Sequence, residues 1–94
     1  MPKFYTMDGF ERTYGPRIFL ERSLFDQFPT LQATLKQLCC WGGYDKEWFA
    51  HDGSSDALLG WEFPSDKIRL QQAREFLLSL GLEDGGKTIP QRFF

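Results

Sequence analysis

The chain has 94 residues, 41% apolar and 17% aromatic, with a net charge of −2. That length fits one domain spanning residues 1–94. The aromatic content argues against intrinsic disorder, and the near-neutral charge against a dedicated duplex-DNA binder, which carries a basic surface.

The first segment, Lys3 to Met7, reads as a strand. Asp8-Gly9 is a good type I′ turn because both positions tolerate positive φ, and Phe10 to Tyr14 would then return antiparallel. After Gly15-Pro16, Arg17 to Glu21 fits either a third strand or an early helix. Ser23-Leu24-Phe25-Asp26 opens a short helical turn, which Pro29 interrupts for want of an amide hydrogen. A helix follows from about Thr30 to Cys40. Leu31, Leu35, Leu38 and Cys39 share one face at helical spacing, and Trp41-Gly42-Gly43 is expected to end it.

Glu47 to Asp52 and Ala57 to Phe63 read as a hairpin about Gly53-Ser54-Ser55. Leu59, Trp61 and Phe63 fall on one face of its second strand, and Leu58, Gly60 and Glu62 on the other. Gly60 weakens that strand or marks a bulge. Pro64 stops it, and Ser65 is expected to cap a helix over Asp66 to Leu80 with an acid in its first turn. Leu70, Ala73, Leu77 and Leu80 form the core stripe of this helix. Ile68 and Leu78 lie off the stripe, and Gly81 is the stop. Residues 83–94 read as an extended tail, whose Phe93 and Phe94 would either complete the core or engage a partner. The sequence contains no Val and three Ile, so strand assignment rests on aromatics, Leu and Thr. These elements predict an α+β fold: a small antiparallel sheet of three to five strands with two helices packed on one face.

No apolar run is long enough for a signal peptide or a membrane span. Cys39 and Cys40 are adjacent, and neighbouring Cα atoms about 3.8 Å apart lie too close for an ordinary disulfide. Free thiols without an export signal imply a cytoplasmic protein.

Catalysis has weak support. Cys39 or Cys40 with His51, the one histidine, would be the natural nucleophile and base, but no family-type signature surrounds either thiol. No metal or other cofactor is expected. The loop Asp52 to Asp56 offers oxygen ligands but lacks EF-hand spacing, the cysteines and histidine do not make a zinc set, and no phosphate-binding glycine motif is present. Single-stranded nucleic acid would use Phe4, Tyr5, Phe10 and Tyr14 with Arg12, Arg17 and Arg22, yet the overall charge opposes phosphate tracking.

Protein binding fits best. Aromatic anchors and biased charge coincide in the middle of the chain, where residues 45–66 hold six acids and one base. From Lys67 onward the balance reverses, with five bases against three acids. Trp41, Tyr44, Trp48, Asp52, Asp56 and Trp61 are therefore the expected partner-binding residues, directed at a basic protein surface by charge complementarity. The expectation is a non-catalytic regulator or inhibitor. An exposed strand edge could also pair two copies as a homodimer.

Overall fold

The computed structural model describes residues 2–8, 15–49 and 58–87, with residues 41–49 described by their backbone. In chain order the elements are β1 (Lys3–Met7), β2 (Arg17–Glu21), α1 (Leu24–Gln27), α2 (Leu31–Leu38), β3 (Trp41–Phe49), β4 (Leu58–Glu62), α3 (Ile68–Ser79) and β5 (Glu83–Asp84). Among the described residues the strands form one five-stranded sheet ordered β3-β4-β2-β1-β5. Every pairing is antiparallel except β1 with β5, which is parallel. The fold is α+β, as the sequence predicts.

Alternation along the strands sorts the apolar residues onto two faces. Phe4, Ile18, Leu20, Leu59 and Trp61 point to the helical side. There they join Leu24 and Phe25 of α1, Leu31 and Leu35 of α2, and Leu70, Ala73 and Leu77 of α3 in one core. Both long helices thus cover the same face. The opposite face carries a smaller cluster of Tyr5, Phe19 and Leu58, with Met7 packed against it. The α2 stripe grades outward: Leu31 and Leu35 are fully enclosed, while Leu38 and Cys39 pack at the margin. Ile68 (63% exposed) and Leu78 (48% exposed) face away from the core.

Several local expectations are revised. The strand paired with β1 is Arg17–Glu21, in the register Tyr5↔Phe19, which resolves the ambiguous segment as β2. The expected Asp8-Gly9 turn and the Phe10–Tyr14 strand lie outside the described residues, save Asp8 itself. Helix α2 closes at Leu38, and Cys39 is already extended with its amide bonded to the Leu35 carbonyl at 2.8 Å. Trp41-Gly42-Gly43 consequently opens β3 rather than closing a helix. Tertiary pairing overrides the low strand propensity of the two glycines, because β4 supplies partners: Trp41 opposes Glu62 and Gly42 opposes Trp61.

Gly60 does not interrupt β4. It sits opposite Phe19 in an unbroken β2–β4 ladder, an aromatic–glycine pairing that compensates for the missing side chain. The irregularity falls on the other side, where β3 shifts register between Gly42 and Glu47 and again before Phe49.

The start of α3 is also built differently. Ser65 is not its cap. Lys67 takes the N-cap position in the left-handed region (φ 67°), and the Asp66 carboxylate accepts the Ile68 amide at 3.0 Å. The acid therefore precedes the helix and satisfies one of its orphan N–H groups. At the far end Gly81 (φ 92°) reverses the chain, in the conformation only glycine adopts freely.

Residues 83–87 are not a free tail. Leu82 is buried at 3% exposure, and the chain then runs along β1. The Glu83 amide donates to the Pro2 carbonyl (2.9 Å), Gly85 to Phe4 (2.7 Å), and Thr6 to Gly86 (2.9 Å). Gly85 is required there, because a Cβ would collide with the Tyr5 ring. Residues 88–94, including Phe93 and Phe94, lie outside the described residues.

Candidate functional site

The residues expected to bind a partner do not share one environment. Trp61 is 0% exposed, in the middle of β4, with its ring centroid 5.3 Å from that of Phe25 at a tilt of 40°. It is a core residue, and its expected place in a contact surface is withdrawn. The cause is strand alternation: Leu59, Trp61 and Phe63 share the helical face, and the indole is large enough to reach the helices. Its Nε1–H finds no hydrogen-bond partner among the described residues. Trp41, Tyr44 and Trp48 lie on β3, which among the described strands has β4 as its one neighbour and so forms a sheet edge. Asp52, Asp56 and His51 lie outside the described residues.

The alternative stacking platform is also reduced. Phe4 (0% exposed) and Tyr5 (5% exposed) are enclosed in the two clusters, leaving neither ring face open to a base. Phe10, Arg12 and Tyr14 lie outside the described residues.

The cysteines occupy the α2–β3 junction. Both are free thiols, Cys39 half-buried and Cys40 exposed. The Cys40 amide donates to the Glu62 carbonyl at 2.8 Å, and its thiol approaches the same carbonyl at 3.3 Å and the Glu62 carboxylate at 3.9 Å. Burial, reinforced by the negative charge of Glu62, pushes the Cys40 thiol above its ordinary pKa. Activation of a nucleophilic cysteine requires the opposite shift. Among the described residues no three of His, Cys, Asp and Glu come together as a metal site, and no described helix is long and apolar enough to cross a membrane.

A recess that the sequence did not announce lies beside β1 and β5. It has a volume of about 270 Å³ and is walled by the end of β1, the first turns of α3 and the turn after β5. Lys67, Arg74 and Lys87 converge on it, together with Asp8 and Asp84. Arg74 binds Asp84 through Nη2 at 2.6 Å, and Lys87 binds Asp8 at 2.7 Å. The second oxygen of Asp84 accepts the Gly86 amide at 2.8 Å. The Lys87 ammonium, through its hydrogen bond and its charge, holds the Asp8 carboxyl below the usual range. The one signal for this site in the sequence is the excess of bases after Lys67, since three of them meet here.

No family model matches this chain, and no match emerged among curated proteins or among solved structures.

Proposed function

We propose that this chain is a small, non-catalytic protein-binding module of the cytoplasm that regulates or inhibits a partner with a basic surface. The observation that carries the reading is the position of β3: nine residues long and at the edge of the described sheet. An edge strand offers unpaired backbone N–H and C=O groups to an extended segment of another chain. This edge also carries Trp41 and Tyr44 just before the acidic stretch and Trp48 within it, so backbone pairing, aromatic anchoring and charge would all favour an extended basic segment.

The test is affinity purification from the native host, identification of the co-purifying protein, and reconstitution from pure components. Trp48→Ala and Asp52→Lys should each weaken the reconstituted complex at least about tenfold, with an unchanged melting temperature, and raised salt should weaken it further. A complex indifferent to both substitutions and to salt would remove β3 and its acidic loop from consideration.

A further inference from the structure

The segment after Leu82 joins the sheet without burying an apolar side chain of its own. Leu82 is seated in the main core. Beyond it Glu83, Asp84, Gly86 and Lys87 are exposed and Gly85 is half-buried. The stretch from 83 to 87 contains no apolar side chain. Apolar burial, which anchors β1, β2 and β4 through Phe4, Ile18, Leu20, Leu59 and Trp61, therefore contributes nothing to β5.

What holds the segment, among the described residues, is polar. Three backbone bonds tie it to β1: Glu83 N–H to the Pro2 carbonyl, Gly85 N–H to the Phe4 carbonyl, and Thr6 N–H to the Gly86 carbonyl. Two ion pairs clasp it from outside, Arg74 with Asp84 and Lys87 with Asp8. Both pairs reach solvent, where ion pairs contribute little and are screened by salt. Few apolar contacts and polar ties open to water place a segment at the low end of local stability. The buried Leu82 fixes its near end and the Lys87–Asp8 clasp its far end, so what lies between lets go in one piece. The closed position is nonetheless specific, because only glycine fits against the Tyr5 ring at position 85.

We propose that residues 83–87 are a releasable strap: they leave β1 as a unit while the core stays folded, and their release opens the amino-terminal edge of the sheet. The groups uncovered are the Pro2 and Phe4 carbonyls and the Thr6 amide. A two-residue edge strand blunts this side of the sheet while the strap is closed. Released, the described sheet has a long open edge on each side, β3 and β1. This device is separate from the β3 edge and does not depend on the protein-binding reading.

Native-state amide exchange of the full chain, followed by NMR, tests it. The Thr6, Glu83 and Gly85 amides should share one protection factor, at least about a hundredfold below that of β2, which is flanked by strands on both sides. Raising the ionic strength from about 0.01 M to about 1 M, which shortens the screening length from about 30 Å to about 3 Å, should lower the shared value and leave β2 unchanged. Asp84→Ala removes the pair with Arg74 and the bond from the Gly86 amide, and should lower it by about three- to tenfold. Gly85→Ala, whose Cβ would collide with the Tyr5 ring, should abolish the protection of Thr6 while β2 keeps its own. If the three amides exchange at the β2 rate, the strap opens only when the whole protein unfolds. If their protection factors differ from one another, the segment frays instead of releasing as a unit. Either result overturns the proposal.

Discussion

Replacing Trp61 by alanine separates a core residue from a contact residue by its size of effect. A tryptophan side chain buries about 150–250 Å², and at about 25 cal/mol per Å² its enclosure is worth about 4–6 kcal/mol. Trp61 realises nearly all of that, being 0% exposed. Its Nε1–H, without a hydrogen-bond partner among the described residues, subtracts about 1–3 kcal/mol, while the cavity left by truncation adds to the loss. The expected cost of Trp61→Ala is therefore about 3–5 kcal/mol, a large part of the roughly 5–14 kcal/mol that a chain of this length can have. Trp61→Phe keeps one ring against Phe25 and removes the orphan donor, so its cost should fall to about 1–2 kcal/mol. Urea unfolding followed by far-UV circular dichroism gives both values without interference from the other tryptophans. If Trp61→Ala stays within about 0.5 kcal/mol of the parent, the range of ordinary surface changes, the placement of this indole in the core is wrong.

Gly15→Ala should destabilise by about 1–3 kcal/mol or more. Its Cβ would collide with the Phe63 carbonyl oxygen, a backbone atom fixed by the neighbouring Phe63 N–H bond to Pro16 (2.8 Å), and thermal melting reads the loss. Glu62→Gln, in a Cys39→Ser background, should shift the pH profile of Cys40 alkylation to lower pH, because a charge that raises the thiol pKa is removed. An unmoved profile rejects Glu62 as a cause. Lys87→Ala should return the Asp8 carboxyl titration, followed by NMR, upward toward its ordinary midpoint. The sign follows from linkage: a depressed folded-state pKa contributes stability above the unfolded-state value and loses it as pH falls through the folded one. The parent, but not Lys87→Ala, should therefore lose that contribution below the ordinary carboxylate range.

The elements legible in the sequence were those with a strong local period. The Leu59–Trp61–Phe63 face and the 3.6-residue stripes of α2 and α3 match buried residues at Leu31, Leu35, Leu70, Ala73 and Leu77, while Leu38, Cys39 and Leu80 are only partly buried. The start of β3 was hidden because Gly42-Gly43 carries a stop signal locally and acquires strand structure only by pairing with β4. Strand β5 was hidden because two residues have no period, and its register comes from β1, nearly the whole chain away. The site suffered from the same non-locality. Aromatic type and neighbouring charge point Trp61 toward a surface, but its place on the Leu59–Phe63 face puts it in the core. The recess escaped notice because Thr6, Lys67 and Lys87 meet only once β1 and β5 lie side by side.

That parallel pairing also constrains the order of assembly. Synthesis releases Lys3–Met7 well before Glu83–Gly86, which supplies one of the two flanks of this strand. A nascent chain must therefore carry β1 with one edge open until almost the last described residue has emerged. Long sequence separation makes such closure slow, and an exposed strand is prone to aggregate in the interval. Removing residues 83–87 should leave a protein that collapses around its helices but precipitates from solution, a defect that sedimentation would detect.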